Sequence, residues 1–280
     1  MPSFDTPEPI SATARVEAGS IQFIAGDRAD TVVEVRARNP KKDLDVKTAD
    51  QTEVTYASGA LTVRTPKSNM FGRTGVVDVT VELPAGSRVD VTGAWTQVIG
   101  EGRLGEVRAK TSSGDARFDA TGPLHLTASH GSITVDRVEG KAEITTSSGS
   151  MRVGTVDGPA VLKNSHGTTT LRSVTGDLRV SGANGDIEVG RAEASVVATT
   201  AHGTLRVGEV ASGTVQLETS YGAIEVGIRE GVAAWLDAHS ASGQVRNALT
   251  ASETPGKTED TVEVRARTKH GNIDIRRAKA

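Results

Sequence analysis

The chain has 280 residues, enough for one elongated domain or two compact ones. Its 36% hydrophobic content, 3% aromatic content and 31 glycines argue against a thick globular core and for a thin interior of small aliphatics. The 32 basic and 35 acidic residues are interspersed, giving a net charge of -3 with no basic run for a phosphate backbone, and with no Cys there is neither a disulfide nor a thiolate metal site.

Taken in order, Met1 to about Thr13 reads as an arm bearing Pro and Ser. It lacks the basic and apolar regions of a secretory signal. No apolar run approaches the roughly 20 residues of a membrane helix. The expectation is therefore a cytoplasmic chain without a membrane span. From Ala14 the pattern turns to strands. Gly19 to Phe23 reads as a first rung, with Ile21 and Phe23 on one side. Thr31 to Ala37 places Val33, Val35 and Ala37 on one face, and Asn39-Pro40-Lys41-Lys42 is a turn. Val54 to Tyr56 and Leu61 to Val63 flank Ser58-Gly59 as a hairpin or another rung. A loop is expected at 65 to 75, then a period-two strand from Val77 to Leu83, stopped by Pro84-Ala85-Gly86.

From Thr111 a triplet ending in Gly recurs. Gly114, Gly131, Gly149, Gly167, Gly185, Gly203, Gly222 and Gly243 follow one another at spacings of 17, 18, 18, 18, 18, 19 and 21. A period near 18 with a short apolar alternation after each Gly is the mark of a β-solenoid or a regular meander. After each Gly, two residues point inward around an outward one: Ala116/Phe118, Ile133/Val135, Met151/Val153, Thr169/Leu171, Ile187/Val189, Leu205/Val207 and Ile224/Val226. Ile273/Ile275 close the series. A second strand in each repeat has its own inward pairs, such as Ala160/Leu162 and Leu178/Val180. Helical periodicity is absent apart from a weak possibility at Val232 to Ala238.

Column behaviour favours the solenoid over the meander. Stacked about 4.8 Å apart on successive coils, Glu188, Arg206 and Glu225 would alternate in charge. The expected fold is thus an all-β, single-chain β-solenoid with ~18-residue coils, two short strands per coil and an irregular β-rich N-terminal cap. Residues 1–90 form the cap and first coils. Residues 91–280 form the regular repeats, with a loop insertion at 247–260.

The run Val79-Thr80-Val81-Glu82-Leu83-Pro84-Ala85-Gly86-Ser87-Arg88-Val89-Asp90-Val91, followed by repeats like Thr111-Ser112-Ser113-Gly114-Asp115-Ala116-Arg117-Phe118, resembles the bacterial DUF4097 β-strand-repeat family. The likeness runs from about Val16 to Ile275. The family's label is a provisional one, adhesin. The resemblance implies a β-solenoid-like fold and no established enzymatic chemistry.

Several motifs suggest chemistry, and each has a plainer reading. Gly100-Glu101-Gly102-Arg103-Leu104-Gly105 matches the dinucleotide fingerprint, but a strand pattern follows where a helix N-terminus is needed. Gly256-Lys257-Thr258 echoes a P-loop without its first Gly. Gly114-Asp115 and Gly185-Asp186 are fragments of a calcium repeat without its nine-residue period. His130, His166 and His202 recur every 36 residues in one column with Ser113, Ser148, Asn184 and Tyr221, and His270 is an open further member. Two coils apart, they would stand about 9.6 Å from each other, too far to share a zinc ion with bonds of about 2.1 Å. Ser129-His130 and Ser165-His166 have no third orienting carboxylate placed by sequence.

No catalytic, cofactor or metal residue is assigned, and no cofactor is expected. His130, His166, Asn184, His202 and Tyr221 form a candidate recognition edge. The expected role is a non-enzymatic structural or interaction protein, adhesin-like, presenting flat sheet faces to an unknown protein or surface partner, with a homo-oligomer possible and no nucleic acid. Alternatives are a scaffold stacking end to end and a carbohydrate-active β-helix enzyme.

Overall fold

The computed structural model describes residues 1–66, 74–249 and 261–278. The expected loop at 65 to 75 lies outside the described residues at 67–73. The insertion expected at 247–260, with Gly256-Lys257-Thr258, lies outside them from 250 onward. The chain divides into two compact units, Met1–Glu139 and Gly140–Ala280.

Unit 1 contains β1 (Ser3–Asp5), β2 (Ser11–Gly26), β3 (Asp30–Ala37), the helix α1 (Asp43–Asp50), β4 (Glu53–Ala57), β5 (Ala60–Arg64), β6 (Val77–Pro84), β7 (Arg88–Arg103), β8 (Val107–Ser113), β9 (Ala116–Thr121), β10 (Leu124–His130) and β11 (Ile133–Glu139). β8 and β9 make one coil and β10 and β11 the next, paired in parallel. The 16-residue β7 spans two strand positions, pairing with β8 through its first half and β9 through its second. β2 lies parallel to β7 in the same manner. Its other edge carries β5 and β6. The chain therefore leaves β2, builds a coil on its far side and returns to its near side. That outer coil is covered by strands running the other way, β3 on β6 and β4 on β5, and β1 in turn lies antiparallel on β3. Val54 to Tyr56 and Leu61 to Val63 are both a hairpin and a rung, since β5 also pairs with β2.

Unit 2 repeats one coil. Its strand pairs are β12 (Ala142–Ser148) and β13 (Met151–Asp157), β14 (Ala160–His166) and β15 (Thr169–Val174), β16 (Leu178–Asn184) and β17 (Ile187–Ala192), and β18 (Val196–His202) and β19 (Leu205–Val210). Then come β20 (Gly213–Tyr221) and β21 (Ile224–Ile228), β22 (Ala233–Ser242) and β23 (Val245–Asn247), and β24 (Thr261–His270) and β25 (Ile273–Arg277). All pairing between coils is parallel, which decides for the solenoid and against the meander. The inward columns stand as the sequence pattern places them: Met151, Thr169, Ile187, Leu205 and Ile224 are neighbours and buried. The outward charges alternate as expected. Glu188, Arg206 and Glu225 are adjacent, and Arg206 donates to both carboxylate oxygens of Glu225 at 3.0 and 2.9 Å.

Two features lay outside the sequence reading. Spatial order departs from chain order at the end of unit 2: β24 and β25 lie between the β20/β21 coil and the β22/β23 coil. The segment Val232 to Ala238, the weak helical candidate, is largely β22, and the helix is instead α1. α1 has eight residues and no apolar stripe, so periodicity could not mark it.

The corner glycines explain the period. A Cβ on Gly203 would stand 2.2 Å from the carbonyl oxygen of Gly185 one coil away, at φ +149°. Each corner Gly thus admits the backbone of its neighbour where any side chain would collide. The inward-turned carbonyls meet a third buried column. Thr219 donates to Gly203 at 3.1 Å, Thr268 to Gly222 at 3.1 Å, Ser240 to Gly271 at 2.8 Å and the Asn164 amide to Gly149 at 3.0 Å. These side chains satisfy main-chain acceptors that the corners would otherwise leave buried and unpaired.

Candidate functional site

The corner that brings glycines together also sets one side chain outward on every coil. The residue before each corner Gly is held by its own carbonyl. Gly185 N–H donates to His202 at 2.8 Å, Gly203 N–H to Tyr221 at 2.9 Å and Gly222 N–H to His270 at 2.9 Å. With the backbone fixed at both sides, the side chains project from one edge at the coil spacing.

In unit 2 this edge reads Ser148, His166, Asn184, His202, Tyr221, His270, Ser242 in spatial order. Three rings form a stack. His202 and Tyr221 have centroids 5.0 Å apart at 9°, and Tyr221 and His270 have centroids 4.8 Å apart at 11°. The separation is the strand spacing itself, so the sheet ladder imposes the stacking. Tyr221 remains 52% exposed. His166 Nδ1 lies 3.3 Å from the Ser147 carbonyl oxygen, to which it donates as the Nδ1–H tautomer. In unit 1 the same corner position carries Trp95, Ser113 and His130 in adjacent register, with Trp95 69% exposed.

The structure therefore brings His166, Asn184, His202 and Tyr221 into one line in unit 2 and sets His130 at the equivalent place in unit 1. Sequence reasoning missed Trp95. Thr96 stands where the other triplets have Gly, so the glycine marker is lost, although Thr96 is fully buried at that corner. It also left the membership of His270 open, and the ring stack settles that.

The edge offers flat rings and N–H and O–H groups at a regular pitch. Among the described residues, no group of three or more His, Asp or Glu is placed to hold a metal ion. The strongest charge cluster lies elsewhere, around Arg229. Its guanidinium donates to Glu209 at 2.6 Å and to Glu193 at 2.9 Å, and Arg191 contacts both carboxylates. The Glu209 and Glu193 carboxylates raise the Arg229 pKa, against its partial burial. This cluster is charge-balanced across three coils and has the character of a structural tie. The fingerprint match at Gly100 to Gly105 sits at the end of β7 and the turn into β8, where no helix follows.

The Toastrack DUF4097 family model matches residues 13–276. The chain belongs to that family. No curated protein matches this Toastrack chain. Among solved structures it is similar to a provisionally named lipid binding protein from Parabacteroides distasonis ATCC 8503, at 11% identity and TM-score 0.43, covering 99% of this chain and 96% of that one. It is similar to a provisionally named adhesin from Bacteroides fragilis NCTC 9343, at 13% identity and TM-score 0.38, covering 98% and 95%. A provisionally named cell adhesion protein from Clostridium sporogenes ATCC 15579 aligns at 11% identity and TM-score 0.23, covering 99% and 98%. All three lie below a TM-score of 0.5, and the family assignment rests on the sequence match. Among the described residues, no helix of this Toastrack chain is long and apolar enough to cross a membrane.

Proposed function

We propose that the chain is a non-enzymatic, adhesin-like interaction module that meets a protein or cell-surface partner along its ring-bearing edge. The observation that carries this reading is the stack of His202, Tyr221 and His270. Rings are scarce in this sequence, yet three of them are gathered at one corner of unit 2 and held by the main chain of successive coils. Aromatic side chains with polar tips supply contact area at low entropic cost and are enriched where proteins bind partners. Main-chain bonds hold the edge before contact, so little backbone ordering is needed on binding.

The test is co-sedimentation of purified protein with intact bacterial cells and with isolated envelope fractions, wild type against the combined variant His202→Ser, Tyr221→Ser, His270→Ser. Saturable binding by the wild type, weakened at least about tenfold in the variant, supports the reading. Equal binding by the two proteins, with both folded by circular dichroism, sinks it.

A further inference from the structure

The last coil of unit 2 in space is not the last in sequence. β22 and β23 lie outside β24 and β25, and among the described residues β22 pairs only with β24 and β23 only with β25. Its inward residues are poorly covered. Ala234, Leu236 and Ala238 are only half-buried, and Val245 is 45% exposed. Their neighbours one coil inward, Val262, Val264, Ala266 and Ile273, are at most 1% exposed. Among the described residues an apolar layer thus ends on a ten-residue strand with an unpaired outer edge, an arrangement that invites pairing with another chain. Unit 1 closes its own outer coil with an antiparallel strand, β3 on β6, under which Val33 and Val81 are fully buried.

We propose that two copies of this chain join tail to tail, β22 against β22, antiparallel about a two-fold axis at Ala238. The second copy then does for unit 2 what β3 does for unit 1. An isologous contact of this kind closes on itself and gives a dimer, whereas a head-to-tail contact would propagate.

Register follows from face and charge. Pairing all ten residues of β22 would set inward side chains opposite outward ones, because a slip of one residue turns a strand over. Two registers keep inward opposite inward and pair nine residues. One is centred on Asp237 and brings two carboxylates face to face, which is unfavourable. The other is centred on Ala238. It sets Leu236 opposite Ser240 of the second copy on the inner side. On the outer side it sets Trp235 over the small Ala241 and Asp237 opposite His239, a carboxylate facing an imidazole donor. Arg267 pairs with the Asp237 carboxylate and donates to its main-chain oxygen at 2.8 Å, which fixes the acid in place. Trp235, 58% exposed in the single chain, gains a partner surface.

The chain has no Cys, so single-cysteine variants read the contact cleanly. Sedimentation of the full chain across nanomolar to high micromolar concentration should show a mass rising from 29.1 kDa to twice that value and no further. Ala238→Cys should give a disulfide-linked dimer under mild oxidation, because the two thiols meet at the axis. Ala234→Cys should not, since its two copies stand eight residues apart, about 27 Å along the strand. Ala238→Arg should weaken the dimer at least about 100-fold by burying like charges at the axis. A constant 29.1 kDa mass, equal cross-linking of the two cysteine variants, or growth beyond two copies would each overturn the proposal.

Discussion

Unit 1 and unit 2 share the same coil and finish it differently. In each, a long strand near the chain end is tucked one place in from the outermost coil: β2 between the β5/β6 coil and β7, and β24, with β25, between two earlier coils. Parallel stacking cannot close itself, because every added coil presents the same open edge as the one it covers. Unit 1 escapes by reversing direction. β3 and β4 run antiparallel to the outer coil and β1 reverses again on β3, Thr6 and Thr31 share a buried hydroxyl bond of 2.8 Å, and Asp45 of α1 accepts from Val76 N–H at 3.0 Å. Among the described residues, unit 2 has no antiparallel strand on β22. A solenoid end needs residues that do not belong to the repeat, and in unit 1 residues 27 to 57 supply them.

The sharpest way to break this contrast is to charge both ends. Val33→Asp places a carboxylate in a fully buried site with no partner and should cost about 3–5 kcal/mol. Leu236→Asp makes the same change on a half-buried strand open to water and should cost about 1 kcal/mol or less. Urea unfolding at nanomolar protein, where a weak dimer is dissociated, measures both. Equal losses would mean that β22 is covered as well as β3.

The corners give a second, smaller contrast. Gly203 and Gly243 face the same obstacle, a neighbouring glycine carbonyl oxygen 2.2 and 2.0 Å from an added Cβ. Gly203 is enclosed between coils, so Gly203→Ala should cost about 3 kcal/mol. Gly243 belongs to the outermost coil, which can shift away. Gly243→Ala should cost about 1 kcal/mol, read by the same unfolding curves. A Gly243 variant as damaged as the Gly203 variant would show that the last coil is clamped.

These contrasts mark what the sequence shows and what it hides. The period was legible because Gly recurs at the corners, with Thr96 as the exception, and the two inward positions are aliphatic in almost every coil. The third inward column was hidden. It holds Thr111 and Ala128 in unit 1 and Thr146, Asn164, Gly182, Thr200 and Thr219 in unit 2, which are neither uniformly apolar nor uniformly polar: what they share is small size, and only some of them reach a carbonyl. Strand order was hidden for a different reason. Every coil offers the same aliphatic columns, so nothing in Val264 says that it lies between Val215 and Leu236 rather than outside Leu236. The ring edge was legible from the residue before each Gly, and it failed only at Trp95, where Thr96 replaces the glycine.

Acid offers a probe of the closed end alone. The Val76 N–H, with Lys42 at 3.1 Å, holds the Asp45 carboxyl below its ordinary range, against the burial that would raise it. A depressed native pKa contributes stability that is present above the unfolded value of 3.8 and is lost as pH falls through the native one. Asp45→Asn should therefore cost about 1–2 kcal/mol at pH 7 and progressively less below about pH 4, as the wild type loses its advantage. A difference that stays constant down to pH 2 would mean the carboxylate charge is immaterial to the cap.

The smallest effect is expected at the ring edge, and its smallness is informative. Stacked rings contribute about 0.5–1.5 kcal/mol per pair beyond their burial. Tyr221 has two such contacts, but both are half in water and the corner is already held by main-chain bonds on each side. The same column position is filled by Ser148 and Asn184 in neighbouring coils without any change of register. Tyr221→Ser should thus lower stability by about 1 kcal/mol or less, measured by urea unfolding. That outcome would leave the ring without a folding role and consistent with the binding role proposed for this edge. If the substitution instead cost as much as Gly203→Ala, the stack would be part of the fold's support, and the case for the edge as a binding surface would fall with it.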